Sequence, residues 1–309
     1  EDSGYATIAF LRIFLSESGI RQLLYINLSE ILIPEKMKLN IIKYLIILLP
    51  ALIFSCTKND PPVEDQFVKV ADVVSADSYF NVQLFAEDSL FVGYNNVFLK
   101  VTEKSSGLPL NQATIDLLPL MDMGTFKHAC PVENPGDVAG TDGLFKGAVL
   151  FSMPGMNNSW SLSAIIEANG KSDSVYFPIS KVVGTSPVKK IVVIDSLSNG
   201  PGSWIITKHP VSLVEPAKWK VGNNQFEITI HTMASMMNFP CCNDITVEIT
   251  PEMPSMGHGS PNNVNPVLTS MGHYVGTVNF TMTGAWRINM VFKKGGRTIG
   301  KNAFFDVSF

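Results

Sequence analysis

Two triplets in the last quarter of the chain, Met256-Gly257-His258 and Met271-Gly272-His273, each put a thioether two residues from an imidazole. Met253 lies just upstream of the first, and Met121, Met123 and His128 form a similar set in the preceding half. The five methionines stand beside Gly, Pro, Asp or His in segments that read as loops, and the three histidines sit in the same segments. Thioether and imidazole are soft-to-borderline ligands that select copper over calcium or magnesium. A thioether needs no deprotonation, so it stays a ligand where thiols are oxidised. The expectation is a copper site drawn from Met253, Met256, His258, Met271 and His273, with a second from Met121, Met123 and His128. Against it stands the ordinary use of methionine, which fills irregular gaps in cores and plugs the ends of sandwiches. Met153 and Met282, each ahead of a Trp-bearing strand, read as structural, and Met290 as core. Met233, Met236 and Met237 either extend a metal surface or cap a sheet.

Other chemistry is absent from the text. There is no Gly-x-Ser-x-Gly elbow, no phosphate-binding glycine loop and no His-Glu-x-x-His helix, so a catalytic role is not expected. The net charge is −4. Five of the 23 Lys and Arg and five of the 27 Asp and Glu precede Cys56, so the remainder keeps that charge. With no basic block, nucleic acid is not an expected partner. Beyond Cys56 only Cys130, Cys241 and Cys242 remain, too few for a disulfide scaffold. Adjacent Cα atoms are about 3.8 Å apart, below the usual disulfide span, so a Cys241–Cys242 bond would be strained. Pairing of Cys130 with either one, or a thiolate ligand, stays open.

The elements that must hold these residues read as strands. Short Val, Ile, Phe and Tyr runs broken by Gly, Pro, Asn and Asp recur at Phe67–Val74, Tyr79–Phe85, Val97–Val101, Phe145–Phe151, Trp160–Glu167, Lys190–Ile194, Gln225–Ile230, Ile245–Ile249, Tyr274–Phe280 and Trp286–Phe292. No long helical period interrupts them, which predicts an all-β chain of antiparallel sandwiches. An internal repeat organises the runs. The stretch from Gly93 to Val101 answers that from Gly222 to Ile230, and Ala113–Leu118 answers Asp244–Ile249. His128 aligns with His258, Asn134-Pro135 with Asn265-Pro266, and Phe151 and Trp160 with Phe280 and Trp286. Two tandem immunoglobulin-like sandwiches are expected, 66–186 and 187–309.

The Met253-to-Gly259 stretch, with the Gly-Tyr-type and Gly-x-Trp strands after it, resembles the YtkA-like or FixH-like domain family. The resemblance covers Gln225 to Phe309 well and Val97 to Ile179 more loosely. It implies small immunoglobulin-like sandwiches on exported proteins, in settings of heavy-metal or respiratory-oxidase copper handling. The first copy departs from it, with Cys130 where the second has Ser260 and no Met-Gly-His triplet.

Upstream, Met37 to Lys43 forms a basic n-region, and Tyr44 to Phe54 an apolar run of roughly eleven residues, too short to span a bilayer. Ile53-Phe54-Ser55-Cys56 resembles the lipobox of lipoprotein signal peptidase, which implies acylation of Cys56 as the new N-terminus. A plain secretory signal with a chance cysteine is the alternative. Residues 37–55 are thus read as signal peptide and 56–65 as a polar tether. Residues 1–36 are set aside as a gene-model or artificial extension, the alternative being one further apolar helix. The expectation is a membrane-anchored cell-envelope lipoprotein, at the outer membrane and facing the periplasm or the surface. It would carry copper or assist a membrane metal-transport or oxidase protein. The rival is a module that docks a partner protein or glycan without metal.

Overall fold

A computed structural model describes residues 66–200, 203–216 and 218–309. The expected extension, signal peptide, acylated Cys56 and the whole tether, 56–65, lie outside these residues. Contacts divide the chain into Glu1–Asp60 and a compact unit, Pro61–Phe309. The described elements are all strands and every ladder between them is antiparallel. Among the described residues no helix is long and apolar enough to cross a membrane.

The first half holds two sheets. One orders β1 (Val68–Val74), β2 (Phe80–Ala86), β3 (Gly93–Glu103), β7 (Phe145–Phe151) and β6 (Val132–Glu133). The other orders β5 (Lys127–His128), β4 (Thr114–Asp122), β8 (Gly155–Ala168) and β9 (Lys171–Val182). Side chains alternate in and out along β4, as the period of two requires. Val82, Leu84, Leu99 and Val149 from the first sheet meet Ile115, Leu117, Leu162 and Phe177 from the second in one core. That is an aligned pair of faces closed over apolar side chains, a β-sandwich.

The second half repeats the plan nine strands later. Its sheets order β10 (Ile191–Gly200), β11 (Ser203–Glu215), β12 (Gly222–Ile230), β16 (His273–Phe280), β15 (Val264–Ser270), and β14 (His258–Gly259), β13 (Ile245–Met253), β17 (Ala285–Lys294), β18 (Arg297–Ser308). A separate core joins Phe226, Ile228 and Val278 to Val247, Ile288 and Phe305.

Corresponding polar residues repeat their bonds. Asn95 accepts from the Phe91 amide at 2.9 Å and donates to the Phe91, Gly93 and Val149 carbonyls. Asn224 does the same with Lys220, Gly222 and Val278. Asn134 and Asn265 each accept a β-strand amide at 2.9 Å, from Leu117 and Ile249. Trp160 and Trp286 donate their indole N–H to the Met153 and Met282 carbonyls and stand 5.1 Å from Phe151 and Phe280. A buried backbone group or indole N–H left unpaired is costly, so these side chains fix the entry of each sandwich's strands.

Candidate functional site

The two Met-Gly-His triplets lie at opposite ends of the second sandwich. His258 pairs with Met253 across β13–β14, and its ring is 5.8 Å from Trp286, which packs on Phe280. His273 opens β16, whose far end is Phe280. Seven residue steps at about 3.3 Å each separate the ends of that strand by about 23 Å, so the structure does not bring His258 and His273 to one ion. Met253 is only 4% exposed and lies in the second core, where a Cβ at Gly284 would come within 3.0 Å of its methyl group. Met121, 7% exposed, is its counterpart in the first core. The burial of both follows from their inward phase on alternating strands, which reading them as loop residues missed.

The remaining candidates are spread out. Met256 is 60% exposed on the turn between β13 and β14, where the Met256 and Gly257 amides donate to the Met253 carbonyl at 3.1 and 3.0 Å. Gly257 supplies the positive φ of 62° that the turn needs. His258 is half-buried, with Nε2 3.2 Å from the Thr281 hydroxyl. His128 is buried edge-on against Trp160 with Nδ1 2.9 Å from the Ala129 carbonyl oxygen, while Met123 is exposed. Met290 is core, and Met236 and Met237 are exposed. Among the described residues no group of three or more His, Cys, Asp or Glu is arranged to hold a metal.

His273 has other partners. Its Nδ1 is 2.6 Å from Glu227 Oε1, and its Nε2 is 2.9 Å from Glu133 Oε1 of the first sandwich. Carboxylates only accept, so both ring nitrogens must carry hydrogen and the ring is an imidazolium. The Glu133 hydrogen bond raises the His273 pKa above its ordinary value against the opposing effect of burial, helped by the charges of both carboxylates. Tyr94 donates its hydroxyl to the other Glu133 oxygen at 2.7 Å. Burial, then the Glu133 charge, pushes that phenol far above its usual range. Burial also raises Glu133, but hydrogen bonds from His273 and Tyr94 outweigh it, so this carboxyl sits below its usual value. The triad ties β6 of one sandwich to β12 and β16 of the other. Nothing local marks it, because Glu133 and His273 are 140 residues apart.

Beside it runs the loop between β12 and β13. It doubles back so that His231 and Cys241 form an antiparallel bridge, with the Cys242 amide donating to the Ile230 carbonyl at 2.9 Å. Its outer part reaches the first sandwich, where the Ala129 amide donates to the Met236 carbonyl at 2.8 Å. Neighbouring side chains of an extended segment point to opposite faces. Cys242 therefore enters the core with its thiol 3.3 Å from Asp244, while Cys241 stays half-buried with Sγ 3.8 Å from His231 Nε2. Burial, then the Glu133 charge, raises the Cys241 thiol pKa. Burial lowers His231 to about 4, so this imidazole is neutral at pH 7. Among the described cysteines all three are free thiols, and burial pushes Cys130 well above its ordinary value.

The fold defines an all-β protein, and its second sandwich is similar to the YtkA-like family, whose model matches residues 205–291. The matched stretch starts within β11, ends within β17, and contains Glu227, His231, Cys241, His258 and His273. No curated protein matches the chain.

Proposed function

We propose that the protein is an exported, lipid-anchored carrier or accessory for a soft metal ion, copper by its donor chemistry, and not an enzyme. The observation that supports this reading is the β13–β14 turn. It presents the exposed Met256 thioether two residues from the His258 imidazole, whose Nε2 lies 3.2 Å from the Thr281 hydroxyl. A hydroxyl both donates and accepts, so this contact does not commit Nε2 to carrying the hydrogen. Strands hold both ends of the turn, so little ordering entropy is lost when an ion binds. The ligand set is thus narrower than the sequence suggests: Met253 and Met121 support it from the cores, and His273 is occupied by carboxylates. Acylation at Cys56 would keep the protein beside a membrane metal-transport or oxidase protein.

A docking module is the second reading. Leu118, Ile165 and Tyr176 are exposed on β4, β8 and β9, a surface that a partner protein would cover. Titrating the full chain in detergent with Cu(I) against a competing chelator separates the two. The carrier reading expects a dissociation constant of micromolar or tighter, about −8 kcal/mol or better. His258→Ala with Met256→Leu should remove one equivalent, and Met282→Leu none. Equal binding by the double variant would pass the function to the docking module. Labelled fatty acid should enter the wild type and not Cys56→Ala.

A further inference from the structure

We propose that Cys241 and His231 form a second soft-metal site, a thiolate–imidazole pair for Cu(I), at the opposite end of the YtkA-like sandwich from Met256 and His258. The imidazole of His231 is fully buried, and its Nδ1 has no hydrogen-bond partner among the described residues. Its Nε2 faces Cys241 Sγ at 3.8 Å, and a thiol is a weak hydrogen-bond partner. A buried polar ring so poorly satisfied costs stability, and such an exception calls for an explanation. An ion on Nε2 replaces the long contact to sulfur and leaves Nδ1 as the nitrogen that keeps the hydrogen.

The separation fits. Bonds of the length zinc makes, about 2.3 Å to sulfur and about 2.05 Å to nitrogen, opened to a trigonal angle, put two such donors about 3.8 Å apart, and a d¹⁰ Cu(I) ion is of similar size. Thiolate and imidazole together with thioether are a soft donor set, which Cu(I) prefers. Met271 is the candidate third donor of a trigonal site: it is 76% exposed, and the next residue, Gly272, lies against the cysteine, where a Cβ would be 3.4 Å from Cys241 Sγ and 3.1 Å from the Ile230 carbonyl. Gly272 has a φ of 75°, so a side chain at this position would be both crowded and strained. The neighbouring thiol is engaged elsewhere: Cys242 Sγ meets Asp244 at 3.3 Å and Lys294 Nζ at 3.9 Å. On binding, the Cys241 S–H proton leaves to solvent and an S–Cu bond replaces it, with no change in oxidation state.

The site rests on separate side chains from the proposed β13–β14 site, so one can fail without the other. The full chain in detergent, kept reduced, is titrated with Cu(I) alone while thiolate-to-copper absorption in the near ultraviolet is followed. One equivalent should develop that absorption in the wild type. Cys241→Ser should abolish it and lower the stoichiometry by one with an unchanged circular dichroism spectrum. Cys242→Ser, and His258→Ala with Met256→Leu, should keep it. His231→Gln should weaken the equivalent at least tenfold. An absorption that survives Cys241→Ser, or that never develops in the wild type, overturns the proposal. Loss of it in Cys242→Ser alone would do the same.

Discussion

At the scale of single residues, the chemistry turns on which partner each imidazole finds. His128 and His258 occupy equivalent places beside Trp160 and Trp286, yet one is buried and the other half open. His273 is committed to two carboxylates, and its raised pKa has a consequence for stability. A group whose folded pKa exceeds its unfolded value stabilises the fold fully below the unfolded value. That contribution fades as pH climbs through the folded value. For His273 the loss therefore begins above its ordinary 6.5. The lowered Glu133 pKa acts oppositely, its contribution being present above the ordinary 4.5 and lost as pH falls through the folded value. Melting temperature should thus hold in mildly acid solution and fall on the alkaline side. Glu133→Gln should lower stability by about 1–3 kcal/mol, the usual cost of leaving a buried partner unsatisfied. It should also flatten the alkaline fall, and a melt series across pH measures both effects.

Elements explain why the repeat is so regular. A strand fixes only the side its residues face, so each sandwich needs something to pin where its sheets begin. Asn95 and Asn224 do this at the starts of β3 and β12, each binding four backbone groups. Asn224→Ala should destabilise the second sandwich by about 1–3 kcal/mol, because the backbone groups around it lose their partner. Chemical denaturation followed by Trp fluorescence would read the change. The comparable loss in Asn95→Ala should appear in the first sandwich. Strand runs such as Phe145–Phe151 were legible because their residues are almost all apolar and buried on β7. The length of β9 and β18 was not, since polar residues fill their outward positions.

The described residues, from 66 onward, form one compact unit with two cores in it. Between β9 and β10, Gly184 and Ser186 to Lys189 are exposed, while Val183 and Lys190 on either side are tied by backbone hydrogen bonds. Proteases cut first where backbone is exposed and makes few contacts. Limited digestion should nick the chain between Gly184 and Lys189 and leave two fragments of similar size. The fragments should co-elute in mildly acid buffer, held by His273, Glu133 and Glu227, and separate more readily as pH rises. A first cut inside the loop that bears Met236 would contradict this.

Composition and period alone determined that the chain is β, that its halves correspond, and that its soft donors cluster in the second half. Those properties are local, since a period of two and a Gly or Asn at a turn act within a few residues. Which donors share a place was decided only by tertiary structure. Met253 and Met121 read as ligands by spacing but lie in the cores, because inward phase depends on which sheet covers a strand. His258 and His273 sit fifteen positions apart in the text and at opposite ends of one sandwich. His273 meets Glu133, and Cys241 meets His231, only because long-range pairing closes loops that no neighbouring residue announces. Such contacts depend on the register of whole strands, which is set by the packing of faces against each other.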